Sequence, residues 1–221
     1  MEVSREFQDL AKRTKNADSA ARLIPPAPTL EKVRKAALGC RACELWKTAT
    51  QTVFGEGKKN SRVMFVGEIP GDKEDLTGHP FVGPAGKLLD QALEEAGIDR
   101  KDAYVTNVVK HFKWEPRGKR RLHKKPRASE IKACRPWLDV EISLVKPPVL
   151  VCLGATAAQT LLGKTFRVTR NRGKLVDSPL APHVMATIHP SALLRLPEGA
   201  DREAEMEHFI QDLRNIVPYL Q

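Results

Sequence analysis

Four short aliphatic runs, set apart by helical patterns, constrain this chain more than any other feature. They are RVMFVG (62–67), AYVTNV (103–108), PVLVCLG (148–154) and HVMATI (183–188). None alternates cleanly between apolar and polar residues. Each therefore reads as a strand buried on both faces, as in a parallel sheet covered by helices. The segment PAGKLLDQALEEA (84–96) places Leu88, Leu89, Ala92, Leu93 and Ala96 on one helical stripe, and Gly97 closes it. Residues 128–140, 155–162 and 203–216 are further helix candidates, and Thr29 caps another over residues 30–38, with Gly39 as its stop. Strands alternating with helices predict one α/β domain: a central four-stranded parallel sheet flanked by helices. The 221 residues, 41% of them hydrophobic, suffice for one such core. Residues 1–28 read as an N-terminal extension, a loose helix over 2–23 followed by the linker IPPAP, ahead of a domain spanning 29–221.

In a doubly wound sheet the site lies where the strands end. The segments leaving the four strands carry Glu68-Ile69-Pro70-Gly71-Asp72, then Asn107, then Gly154, then His189-Pro190-Ser191. Three of the four bring groups suited to acid–base or hydrogen-bonding work. No run of 18 apolar residues is present, so no membrane helix is expected, and the polar first 28 residues do not look like a secretory signal. A reducing, cytoplasmic setting is the resulting expectation.

In that setting four cysteines suit metal ligation or the core better than disulfides. Cys40 and Cys43 form C-x2-C, and Cys134 and Cys152 complete the set. Tetrahedral zinc and a [4Fe–4S] cluster both take four thiolates, and spacing does not choose between them. Cys152, inside an apolar strand, also reads as a plain core residue.

The formal charge of +10 is concentrated. Residues 110–135 hold 11 Lys and Arg against Glu115 and Glu130, a local net of +9, with Phe112, Trp114 and His123 interleaved. Cations at this density grip phosphates, and rings between them stack on exposed bases. The segment therefore reads as a nucleic-acid loop, with a solvated charged loop as the bland alternative. His123, in KRRLHKKP, is surrounded by cations that disfavour its protonation, so a neutral imidazole is expected at pH 7. Gly163-Lys164-Thr165 imitates a phosphate-binding loop but follows a helix and lacks the earlier glycine, where Ala158 stands.

Taken together, GEIPGDKEDLTGHPFVGPAG (67–86), TNVVKHFKW (106–114), the cysteine pattern and HPSALLR (189–195) resemble the iron–sulfur uracil-DNA glycosylases of family 4. The insertion GKRRLHKKP (118–126) resembles the loop of their UdgX subgroup, whose members become covalently attached to the DNA from which they remove uracil. The resemblance spans about residues 30–217. It implies a [4Fe–4S] cluster on Cys40, Cys43, Cys134 and Cys152, and a monomer acting on uracil-containing DNA, preferably single-stranded, where the base is more easily extruded.

It also implies roles for individual residues. Gly67 and Ile69 belong to the uracil pocket, Phe81 stacks on the base and Asn107 reads its edge. His189 stabilises the leaving uracil anion. His123 bonds to C1′ of the sugar, Glu68 orients it or takes its second proton, and Asp72 is the next carboxylate. Asp75 sits behind the site or caps a loop. Lys119, Arg120, Arg121, Lys124 and Arg195 face the DNA backbone. Turn, core or capping roles are the structural alternatives for Asn107, Phe81 and His189. The subgroup's first motif reads GEQPGD, whereas this chain has Ile69 in place of Gln. Isoleucine offers no side-chain hydrogen bond, so slower adduct formation is expected.

Overall fold

The computed structural model describes residues 19–220. The four expected strands form at the expected places: β1 (Val63–Gly67), β2 (Ala103–Asn107), β5 (Val149–Leu153) and β7 (His183–Thr187). All four pair in parallel, in the order β2-β1-β5-β7. A fifth strand, β6 (Leu175–Val176), adds antiparallel at the β7 edge, so the sheet has five strands rather than four. Two residues are too short to leave a sequence signature.

Every residue of β1, β2 and β5 is buried, which explains the lack of alternation in their sequences. The pleat still sorts them. Val63, Phe65, Val105, Val149 and Val151 join α3 (Pro84–Ala96) and α7 (Ala200–Arg214) in one apolar cluster. Met64, Val66, Tyr104, Leu150 and Cys152 join α1 (Leu30–Ala37), α4 (Ala128–Val145) and α5 (Ala155–Leu162) in the other. The other helices are short: α2 (Asp72–Thr77) and α6 (Val168–Asn171).

Helix ends follow the sequence signals. The Thr29 hydroxyl accepts the Lys32 amide at 3.2 Å, and Gly97 closes α3 in the left-handed conformation. Helix α4 runs five residues past its expected end, through Ile142 and Val145, both buried. The expected helix over 2–23 lies mainly outside the described residues. Its last part is a 3-10 turn, Ala20–Leu23, whose Ala20 and Ala21 are buried where the turn packs on α4. Among the described residues, no helix is long and apolar enough to cross a membrane.

The basic segment is not a loop. It forms a hairpin of β3 (Trp114–Arg117) and β4 (Arg120–His123), with Gly118 at φ 59° in the two-residue turn. Nor is all of its charge free. Lys110 is fully buried, Lys113 pairs with Glu130, Lys124 with Glu115 and Arg135 with Asp139.

The chain reverses its winding between β1 and β5. From β1 it passes to β2 on one side, and from β2 it crosses over to β5 on the other. The loops after β1 and β5 therefore diverge and leave a crevice at their carboxyl ends. Gly67 and Gly154 sit there.

Candidate active site

Three expected site residues converge on Gly67. A β-carbon there would collide with Asn107 Oδ1, lie 2.7 Å from the Phe81 ring and 3.4 Å from His189 Nε2. Glycine thus lets three side chains close over the end of β1, where the sequence reading expects the uracil pocket. Asn107 reaches it as the last residue of β2, in register with Gly67. Phe81 reaches it from the loop before α3, with its ring 6.0 Å from that of His189. Phe81 is the one residue here outside ordinary backbone space, at φ 58°. Such strain persists only when the surroundings impose it. Two neighbours do so. The Glu74 carboxylate accepts the amides of Gly71 (3.1 Å) and Gly83 (2.8 Å), stapling the loop at both ends. Gly86 lets the first turn of α3 lie against the Phe81 carbonyl, a space that a β-carbon would fill. Glu74 was not singled out by the sequence, although Gly71 and Gly83 at its flanks mark a loop that needs tying.

The contacts of His189 fix its tautomer. Its Nδ1 accepts the Ser191 amide at 3.1 Å, so a neutral ring carries its proton on Nε2, the nitrogen facing Gly67. Burial, with His123 and Arg195 adding like charge, pushes its pKa down to about 4. The ring therefore caps the turn through Nδ1 and presents a neutral N–H donor toward Gly67.

His123 ends β4 and packs on Phe112, with ring centroids 6.1 Å apart. The ring is exposed along one side, and its pKa is lowered, chiefly by partial desolvation; the Glu68 carboxylate opposes that shift and Arg195 adds to it. Glu68 leaves the end of β1 and accepts a hydrogen bond from Thr156 Oγ1 in the first turn of α5. Thr156 is a second residue that sequence reading missed.

The hairpin is bolted down two residues before His123. Arg121 donates through Nε to Asp72 Oδ1 and through Nη1 to Asp75 Oδ2, both at 2.6 Å, and lies over the Phe112 and Trp114 rings. Asp75, fully buried, also accepts the amide and hydroxyl of Thr50. Arg121 was expected on DNA and Asp72 in catalysis; the structure engages them with each other. Lys119 and Arg120 stay exposed at the hairpin tip and, with Asp72, Leu76 and Arg121, line an open cleft of about 410 Å3. Arg195 is exposed in the turn after His189. Ile69 has a side chain buried in the core, 6% exposed.

The four cysteines all lie on the α4 side of the sheet. Cys40, Cys134 and Cys152 are buried in one apolar cluster, with Cys43 packed against it. Among the described residues, no three His, Cys, Asp or Glu side chains are gathered into a ready-made metal site. The donor set still suits a thiolate-bound group. Cys40 and Cys43 both raise the Cys134 pKa, so these three sulfurs lie close enough to interact. Two N–H groups point at sulfur: the Lys110 amide at Cys134 (3.2 Å) and Trp137 Nε1 at Cys40 (3.3 Å). Burial pushes the Cys134 and Cys152 thiols up to about 12. Only a bound cation would hold such sulfurs as thiolates near neutral pH.

Comparison with known proteins defines the class. The chain belongs to the uracil DNA glycosylase superfamily, whose family pattern it matches over residues 54–214. It is 43% identical over 166 residues to the type-4 uracil-DNA glycosylase of Thermotoga maritima, covering 75% of this chain and 81% of that one. It is 38% identical to the type-4 enzyme of Sulfurisphaera tokodaii, covering 76% and 77%, and 36% identical to that of Archaeoglobus fulgidus, covering 77% and 85%. Within the superfamily it therefore stands on the type-4 branch.

Proposed function

We propose that this protein excises uracil from DNA and traps itself on the abasic sugar through His123. The observation that supports trapping most is the hairpin, which ends on His123, a histidine whose lowered pKa favours a neutral ring and which lies within electrostatic reach of Glu68 and His189. Uracil, flipped from the stack, slots against Phe81 over Gly67. The Asn107 amide donates to O4 and accepts from N3–H. Cytosine presents the reverse pattern and leaves both groups unpaired, so it is rejected. As the C1′–N1 bond breaks, its electron pair moves onto uracil, and His189 Nε2–H stabilises the charge building on O2. A neutral donor suits this task because it need not lose a proton to accept the product.

C1′ is then electron-deficient. The unprotonated His123 nitrogen donates its lone pair to form an N–C1′ bond. The proton on its other nitrogen passes to Glu68 or to solvent, and the uracil anion takes up a proton from water. The linkage formed has no easy hydrolytic exit, so each molecule acts once. Single-stranded DNA is the preferred substrate because no pairing has to be broken. The exposed Lys119, Arg120 and Arg195 would take the phosphates, with Lys124 joining them on exchanging its Glu115 partner. A [4Fe–4S] cluster on Cys40, Cys43, Cys134 and Cys152 would supply a structural cross-link between the segment after α1, helix α4 and strand β5; the steps above need no electrons from it.

The test is incubation with uracil-containing single-stranded DNA, followed by boiling in SDS and electrophoresis. A slowed protein–DNA band, with the modified peptide mapping to His123, is expected. Free abasic DNA without such a band would leave a conventional turnover glycosylase, and no uracil release at all would defeat both readings. The pH dependence carries a sign. Both histidines act as neutral rings, and both have lowered pKa values, His189 about 4 and His123 below its usual 6.5. The single-turnover adduct rate should be level from pH 8 to about pH 6.5 and fall as pH drops toward 4. A rate that rises over that interval would contradict the neutral-imidazole assignment. For the cluster, Cys134→Ala should abolish broad visible absorbance and lower Tm by roughly 10 °C or more, read by absorbance and calorimetry.

A further inference from the structure

Lys110 belongs by sequence to the basic segment, yet its side chain is fully buried and plays no part in gripping phosphate. Its Nζ donates to the Asn107 carbonyl at 2.7 Å and to Thr106 Oγ1 at 2.6 Å, and pairs with Glu141 of α4, also fully buried. Glu141 in turn accepts from Tyr104 OH at 2.9 Å, from Thr106 Oγ1 and from the Gly55 amide at 3.0 Å. Such a pair is costly to desolvate, and apolar side chains of similar volume would hold the core as well. Its stability contribution does not account for it; its geometry does.

We propose that Lys110 is a positioning residue that sets Asn107 for reading the base. Asn107 is held on its upstream side by the β1–β2 ladder, which ends at the Gly67–Asn107 pair. Beyond it the chain leaves the sheet, with the Val108 and Val109 amides donating to the Gly67 and Glu68 carbonyls at 2.9 and 3.1 Å. The Asn107 carbonyl lies on the opposite side of the same peptide unit, and Lys110 Nζ holds it. Fixing that unit fixes the Cα–Cβ direction of Asn107, and with it the amide over Gly67. Lys110 is itself anchored, because its own amide donates to Cys134 and its carbonyl accepts the Val53 amide at 2.8 Å.

This inference rests on the uracil-excision reading. The test variant is Lys110→Met combined with Glu141→Gln, which removes both charges while leaving Gln to serve Gly55, Tyr104 and Thr106. Glu141→Gln alone keeps the lysine and its bond to the Asn107 carbonyl. Free uracil is the probe, with affinity read by calorimetry and the Asn107 side-chain amide followed by NMR. The double variant should keep its visible absorbance and a Tm within a few degrees of the unmodified protein. It should bind uracil about tenfold more weakly, with a smaller uracil-induced shift of the Asn107 resonance. The single variant should bind within about threefold of the unmodified protein. Equal affinity in the double variant would overturn the role of Lys110, as would losses in both variants that merely follow Tm. Absence of uracil release by the unmodified protein would overturn the glycosylase reading and this inference together.

Discussion

Replacing His123 with serine should abolish the SDS-resistant protein–DNA band while uracil release continues. The groups proposed to act on the leaving base lie elsewhere: Asn107 on β2, Phe81 before α3 and His189 after β7. Serine vacates the imidazole volume without disturbing those residues, and water can enter where the ring stood. The band should fall by more than about 100-fold, because the proposed bond to C1′ is made by the imidazole nitrogen that serine lacks. Uracil release should stay within roughly tenfold of the unmodified protein, since stabilisation of the leaving group is intact. Multiple turnover should then appear, with product exceeding enzyme over time. A retained band would show that another side chain forms the bond. Loss of both activities would show that His123 helps to break the glycosidic bond as well as capping its product.

The hairpin makes this prediction sharp because it limits where residue 123 can go. Arg121 is tied to Asp72 and Asp75, Trp114 Nε1 donates to the Thr48 carbonyl at 2.9 Å, and the Lys124 amide donates to the Lys113 carbonyl. The substituted side chain therefore remains at the end of β4.

The strands were legible in the sequence because they are dictated by local side-chain chemistry. A strand covered on both faces has no polar position to spare, so VMFV and VLVCL read as strands without their partners. The hairpin was hidden because its composition is that of a loop: a proline at 116, a glycine at 118 and six cations over 117–125 in exposed or half-exposed positions. What makes it a hairpin is remote, chiefly two aspartates on α2. Lys110 illustrates the same limit. Its charge groups it with the other cations of the basic segment, and Glu141, 31 positions away toward the end of α4, draws it inward. Phe81 could be expected in the pocket from its Gly/Pro-rich setting, but its positive φ depends on Gly86 and on the Glu74 staple, neither visible as a local pattern.

The second large effect should come from one methyl group. Gly67 lies in β1 with ordinary neighbours in its ladder, so alanine there is acceptable to the strand as secondary structure. Its side chain is another matter. The new β-carbon would contact Asn107, Phe81 and His189 at once, with the Phe81 ring at 2.7 Å. Real carbon contacts are not that short, so at least one of the three must move. Phe81 is the least able to retreat, because its backbone is already held at φ 58° by its neighbours. Overpacking of this kind costs about 1–3 kcal/mol in the folded protein, which a domain of this size can absorb. The proposed site cannot absorb it, because the methyl occupies the space in which, on the uracil-excision reading, the base lies against Phe81. Gly67→Ala should therefore remain folded, with Tm lowered by only a few degrees, while single-turnover uracil release falls by at least about 100-fold. Adduct formation should fall by the same factor, since His123 reacts only with a sugar whose base has begun to leave. Direct transfer kinetics on uracil-containing single-stranded DNA, with quantified uracil and SDS-resistant band from the same samples, measures both. Near-normal uracil release by Gly67→Ala would place the base somewhere other than over this glycine, and the roles of Asn107, Phe81 and His189 would have to be reassigned with it.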